Sequence, residues 1–165
     1  PPGKMWREIV DRNALDAPRG RRRRNVIEDT LEKVKAMVNQ WPGCAEAWQF
    51  GGSLASELNR PATWKKTLEE LLYKEKAFAI SPRNCEIAHN YAIALMKSRQ
   101  LDKASSVLAN ATELCGAWEH RLWLALSKVH ELKGDNEAAR SAALQSEKIQ
   151  KAEYERLDHG DRKEL

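Results

Sequence analysis

No run of the 165 residues approaches the roughly 18–20 uninterrupted apolar residues that cross a bilayer, so a spanning helix is excluded. No stretch of useful length alternates with period two, so strands have no pattern to rest on. Glycine (8) and proline (6) are too few for a loop-dominated or collagen-like chain. Cysteine is scarcer still. Cys44, Cys85 and Cys115 are odd in number and form no CxxC pair. A disulfide framework would leave one over, so a reducing intracellular compartment is expected: cytoplasm, nucleus, or an organelle matrix if a targeting segment has been removed. The chain begins Pro1-Pro2 without an initiator Met, which reads as a fragment or a processed product.

Catalytic patterns are missing as well. There is no Gly-rich phosphate loop, GxSxG or HExxH. The histidines, His89, His120, His130 and His159, are scattered, and His120 and His130 stand ten residues apart. That is not the i, i+4 spacing that lets two imidazoles share a metal. No Lys or His neighbours a cysteine in a way that would activate the thiol. Gly51-Gly52 sits inside a helical pattern, where close helix packing accounts for it better than phosphate binding. The sequon Asn110-Ala111-Thr112 also falls in a helical stretch and is taken as chance. No metal, no cofactor and no enzymatic role are expected.

What the chain does have is helical periodicity, a concentration of tryptophan and one basic run. Hydrophobic residues are 42% and charged residues 32%, the balance of a soluble chain with a core. Asn25 followed by Glu28 reads as a capping box opening a helix. Its apolar stripe is Val26, Ile27, Leu31, Val34, Val38 and Trp41, and Trp41-Pro42-Gly43 stops it. A second stretch, 45–58, carries Trp48, Phe50, Leu54 and Leu58. A third, about 62–80, carries Trp64, Leu68, Leu71, Leu72 and Phe78 on one side. On its solvent side, Lys65, Lys66, Lys74 and Lys76 interleave with Glu69, Glu70 and Glu75 as an ordinary charged face. Asn84 caps a fourth helix bearing Ile87, Ala88, Tyr91, Ala92 and Leu95. A fifth spans about 102–114 with Ala104, Leu108 and Ala111. A sixth spans about 118–133 with Trp118, Leu122, Trp123, Leu126 and Leu132, and a last one runs from about 136 to 157. Trp48, Trp64, Trp118 and Trp123 lie on these stripes and are expected to pack between helices. Trp6, with Met5, Ile9 and Val10 in a short segment, either folds back or anchors a partner.

Short connections place successive helices antiparallel. Small and large residues then repeat at fixed offsets. Ala88-His89-Asn90-Tyr91-Ala92 with Leu95, Leu101-Asp102-Lys103-Ala104, Leu108 and Ala111 is echoed 35 residues later by Trp123-Leu124-Ala125-Leu126-Ser127 and Gly134-Asp135-Asn136-Glu137-Ala138-Ala139. Ala47-Trp48-Gln49-Phe50-Gly51-Gly52 through Ala77-Phe78-Ala79-Ile80-Ser81-Pro82 is a looser copy. On these residues the chain resembles a tetratricopeptide repeat protein over about residues 26–150, or an aromatic-rich half-a-tetratricopeptide cousin. The resemblance puts Ala92, Ser127, Ala104 and Ala139 at the small packing positions and Pro82 at a repeat end. It implies an all-α fold: a right-handed α-α superhelix of about three helix-turn-helix repeats, with a preceding helix and a C-terminal capping helix. The domain reading is a basic arm over 1–24, a repeat domain over 25–157 and a tail over 158–165.

The same resemblance places the first helix of each unit on a concave, partner-binding face. That assigns Gln49, Phe50 and Ser53 from the first unit, His89, Asn90, Ile93, Met96 and Lys97 from the second, and Arg121, Leu124, Lys128 and Glu131 from the third. Asn90 matches the backbone-gripping asparagine of family members, and Arg121 a cation of the chaperone-binding ones. Gln49, Ser53 and Ala125 replace the other clamp residues, which disfavours capture of a chaperone tail. The implied function is a non-catalytic scaffold that holds a partner protein segment within a larger assembly.

The basic run supplies the alternative. Lys plus Arg is 28 against 24 acidic residues, and Arg19, Arg21, Arg22, Arg23 and Arg24 concentrate the excess. The run is a solvated junction, a nuclear-import address, or an arm contacting RNA phosphates in a ribosome-like complex. Five phosphate contacts on single-stranded RNA would give a log–log salt slope of about −3 to −4. No aromatic platform for base reading lies beside it.

Overall fold

A computed structural model describes residues 21–58 and 64–161. They form seven helices and, among the described residues, no strand: α1 (Arg21–Gln40), α2 (Ala45–Leu58), α3 (Trp64–Ile80), α4 (Cys85–Lys97), α5 (Leu101–Cys115), α6 (His120–Lys133) and α7 (Asn136–Asp161). The side chains of 21, 22, 64–67 and 157–161 lie outside the description, as do Met5, Trp6, Ile9, Val10 and Arg19. Two compact units divide at Ile87/Ala88.

In the first unit α1 packs on α2, and α2 on α3. The stripe expected on α1 is buried as Ile27, Leu31, Val34 and Val38, joined by Met37 and, from the other helices, by Cys44, Ala47, Leu54 and Tyr73. Burial pushes the free Cys44 thiol upward from its ordinary pKa. The helix starts one turn before the expected cap. Asn25 is an exposed interior residue, and Glu28 bonds Arg24 at 2.9 Å instead of capping. Arginine is a good helix former, and an Arg23–Glu57 pair at 2.8 Å holds the extra turn to the end of α2.

Gly51 and Gly52 are both buried in α2. A Cβ on Gly51 would lie 2.6 Å from the Tyr73 ring and 3.1 Å from Val34, and one on Gly52 would lie 2.8 Å from the Lys74 stem. The glycine pair therefore lets three helices meet, as the packing interpretation requires. It also fixes the register of α3. Tyr73, Lys74 and Ala77 turn inward with Leu71, while Leu68 and Leu72 are left 53% and 52% exposed. The expected stripe is thus displaced. Lys74, expected on the solvent side, is only 4% exposed. Its Nζ donates to the Gln49 carbonyl at 3.1 Å and to Ser53 Oγ at 2.9 Å, in the space Gly52 leaves open. The start of α4 completes a small cluster of Ala45, Ala77 and Ile87 beneath Trp48 and Phe78. Asn84 caps that helix as expected, with Oδ1 accepting from the N–H groups of Glu86 (3.1 Å) and Ile87 (3.2 Å).

In the second unit α5 packs on α6 and α6 on α7. Ala92, Ala104, Ser127 and Ala139, the four small positions, are all buried, alongside Tyr91, Leu95, Leu108 and Leu122. α4 ends in a Schellman-type closure: the Gln100 N–H reaches the Leu95 carbonyl at 2.9 Å, with Arg99 at φ 62°. A side chain in that left-handed region costs about 1 kcal/mol. Arg99→Gly should therefore raise stability by about 0.5–1 kcal/mol, read as a higher denaturation midpoint. Gly134 (φ 81°) closes α6 in the same way and meets no strain. Asp135 opens α7 by accepting from the Ala138 N–H at 3.1 Å. The buried face of α7 is Ala139, Ala142, Ser146 and Ile149, with Ser146 Oγ donating to the His120 carbonyl at 3.0 Å.

Trp118 departs from expectation. The sixth helix begins at His120, so Trp118 sits in the preceding turn, 60% exposed rather than packed. Trp48 and Trp123 are half-buried, their indole N–H groups donating at 2.9 Å to the carbonyls of Pro42 and Gly116. Cys85 and Cys115 are each in a disulfide. The odd cysteine count therefore does not exclude a disulfide, and the inference of a reducing compartment loses that support. Among the described residues, no helix is long and apolar enough to cross a membrane.

Candidate functional site

In the second unit, one face of α4 and one face of α6 enclose an open cavity of about 440 Å³. His89, Ile93 and Met96 fall at i, i+4 and i+7 of α4, so helical geometry stacks them along a single stripe. Arg121, Leu124, Lys128 and Glu131 fall at i, i+3, i+7 and i+10 of α6 and line the opposite wall. Ala125 and the buried Ser127 form part of the lining as well. Ile93, Met96, Leu124 and Ala125 make an apolar strip. Leu124 is 57% exposed, so the strip opens to solvent.

The polar groups at the rim neutralise each other. Arg121 forks onto Glu119, with Nε to Oε1 and Nη2 to Oε2 both at 2.8 Å. Glu119 is also the N-cap of α6 and accepts the Arg121 N–H at 3.3 Å. Lys128 pairs with Glu131 at 2.6 Å, one turn along. In each pair the cation is the more exposed partner. The Arg121 guanidinium beside it is the largest influence holding the Glu119 carboxyl below its ordinary pKa. A depressed carboxylate stabilises the fold above its unfolded pKa and loses that contribution as pH falls through the folded one. Acidification from about pH 5 downward should therefore loosen the start of α6, and Glu119→Gln should flatten that part of the stability–pH curve. Chemical denaturation at stepped pH checks it.

Five of the expected partner-binding residues, His89, Ile93, Arg121, Leu124 and Lys128, are brought together here, along with Met96 and Glu131. Asn90 and Lys97 do not line the cavity. Asn90 is about 100° around α4 from His89, off the stripe that includes Ile93 and Met96. Phe50 lies in the first unit, half-buried against that unit's core. Gln49 and Ser53 there are engaged by Lys74. Of the arginine run, Arg23 and Arg24 belong to α1 and are paired with Glu57 and Glu28. Arg19 and the side chains of Arg21 and Arg22 lie outside the described residues. Among the described residues, no three His, Cys, Asp or Glu side chains are grouped to hold a metal ion.

No protein-family model matches the chain, and no curated protein matches it. Solved structures do. A crystal structure of MamA superposes with a TM-score of 0.68 at 15% identity, over 79% of this chain and 72% of that one. A second MamA crystal structure gives 0.66 at 15% identity, over 79% and 67%. The MamA of MSR-1 gives 0.64 at 14% identity, over 91% and 86%. At such identity the likeness speaks to the fold. With small residues buried at the repeat positions of successive helical hairpins, the chain has an all-α, tetratricopeptide-like fold.

Proposed function

We propose that this chain is a non-catalytic scaffold whose α4/α6 groove docks a segment of a partner protein, with Ile93, Met96 and Leu124 as the contact strip and His89, Arg121 and Lys128 at its rim. The observation that carries the reading is the exposed Leu124 in an apolar cavity edged by self-paired charges. Concave, mostly apolar clefts with a few polar groups at the edge are where ligands and peptides bind. The tetratricopeptide-like fold is consistent with a protein-interaction role. The Arg-rich run supports an RNA reading less well, because Arg23 and Arg24 are already committed to carboxylates.

A random peptide library displayed on phage and selected on the immobilised chain tests this. Enriched peptides should lose at least ten-fold in affinity against Leu124→Glu and bind Leu68→Glu as they bind the parent. Both leucines are exposed, so neither variant disturbs a core. Peptides indifferent to Leu124 but sensitive to Leu68 would move the docking surface to α3 and discard the groove.

A further inference from the structure

Resting on the reading of the α4/α6 groove as a docking surface, we infer that Met96 is an oxidation site built into it: oxygen transfer from a hydroperoxide turns its thioether into a sulfoxide and weakens docking while the fold stands. The step balances within itself. The sulfur gains one oxygen atom and is oxidised by two electrons, the peroxide O–O bond breaks, and the hydroperoxide leaves as water or an alcohol.

Met96 is singled out by where the sulfur atoms lie. The sulfur-bearing residues in the described part of the chain are Met37, Cys44, Cys85, Met96 and Cys115. Cys85 and Cys115 are each in a disulfide already. Cys44 is 8% exposed and its burial raises the thiol pKa, which withholds the thiolate that reacts with peroxide. Met37 is 4% exposed within the first unit's core cluster. Met96 is half-buried and lines an open cavity of about 440 Å³. One water needs only about 10–15 Å³, so a hydroperoxide reaches this sulfur without any opening of the fold.

Its place in the strip sets the consequence. Met96 is three residues from Ile93 and seven from His89 on one stripe of α4, and it lines the cavity together with Leu124 and Ala125 of α6. A sulfoxide there puts a strong acceptor into the apolar strip, and an occupant that covers it must strip it of water. Methionine is unbranched, with three rotatable bonds, so in the empty, open groove the sulfoxide turns to solvent. The cost therefore falls on docking and not on folding. An oxidised Met37 would instead sit in the core and lower stability.

The test treats the full chain with hydrogen peroxide at neutral pH, removes the excess with catalase and maps the added oxygen by peptide mass spectrometry. Met96 should be converted well before Met37, with an unchanged denaturation midpoint. The binding probe is a displayed-library peptide free of Met and Cys, selected on the parent and counter-selected on Leu124→Glu. Its affinity should fall about five-fold or more on oxidation. Met96→Gln, which places a fixed polar group at the same point, should show a loss of the same size without peroxide. Met96→Leu, whatever affinity it starts from, should keep it through the same treatment. Met37 converted as fast as Met96 overturns the site. Met96 fully converted with the probe bound as before overturns the effect on docking and leaves the groove as the docking surface. A loss of binding in peroxide-treated Met96→Leu assigns the effect to another residue and overturns the inference as well. Failure to recover any peptide that distinguishes the parent from Leu124→Glu overturns the docking reading itself, and the effect of oxidation on docking with it.

Discussion

A Gly51→Val chain is expected to lose about 3 kcal/mol of stability, a fall in midpoint of about 6–12 °C for a chain of this length. The first added carbon would already lie 2.6 and 2.7 Å from Tyr73 ring atoms and 3.1 Å from Val34 Cγ1. Neither neighbour can retreat: Val34 is fully buried and Tyr73 nearly so, and both belong to the first unit's core cluster. Gly51→Ala should lose less, about 1–2 kcal/mol, because replacing a mid-helix glycine returns about 1 kcal/mol of helix propensity against the overpacking. Gly43→Ala is the control, since nothing lies within 4 Å of a Cβ there. Tyr73→Leu should relieve much of the Gly51→Ala loss, a coupling that a double-mutant cycle reads directly. A Gly51→Ala chain as stable as the parent would mean the three helices do not meet at this point.

Tyr91→Ala is expected to cost about 3–5 kcal/mol, the range for deleting a buried aromatic ring. Tyr91 is 1% exposed and the largest of the fully buried side chains. It belongs to the second unit, where Leu95, Leu108 and Leu122 are fully buried as well. The Lys103 ammonium lies 5.5 Å from its ring centroid, so truncation removes a cation–π contact as well. The loss is measured as the shift in urea midpoint, and an unchanged denaturant slope would show that the remaining structure still unfolds as the parent does. A loss below about 1 kcal/mol would contradict close packing around this ring. The groove on the same unit gives an independent readout, because binding at Leu124 should survive whenever the variant remains folded.

Much of the helical framework is legible without coordinates, and the failures have physical causes. Asn84 announces the start of α4 because an uncapped N-terminus leaves donors that its side chain can satisfy. Asn25 offers the same chemistry but is overridden by four arginines that extend the helix and by Glu57, a partner remote in sequence. On α3, two apolar registers overlap: Leu68 with Leu72, and Leu71 with Tyr73 and Ala77. Periodicity cannot rank them. The choice is made by Gly51 and Gly52 on another helix, which admit Tyr73 and Lys74. Lys74 is hidden from sequence reasoning for the same reason, since a charged side chain is buried only where a specific gap and carbonyl await it. Trp118 misleads because the helix begins two residues later than the apolar pattern does.

The site is legible to the extent that it follows one helix face. His89, Ile93 and Met96 come together by spacing alone, as do Arg121, Leu124 and Lys128. What spacing cannot reveal is that Arg121 is spent on Glu119, since a pair two residues apart depends on the N-cap turn that brings them face to face. That turn changes the groove from one offering a cation to a carboxylate into one offering an apolar strip with a nearly neutral rim.

The most direct measurement is a heteronuclear NMR titration of the isotope-labelled chain with a library-selected peptide. The account predicts perturbations concentrated at Ile93, Met96, Leu124 and Lys128, with Leu68, Leu72 and Trp118 unmoved. Perturbations gathered on α3 or at the Trp118 turn, with the α4/α6 faces silent, would contradict it.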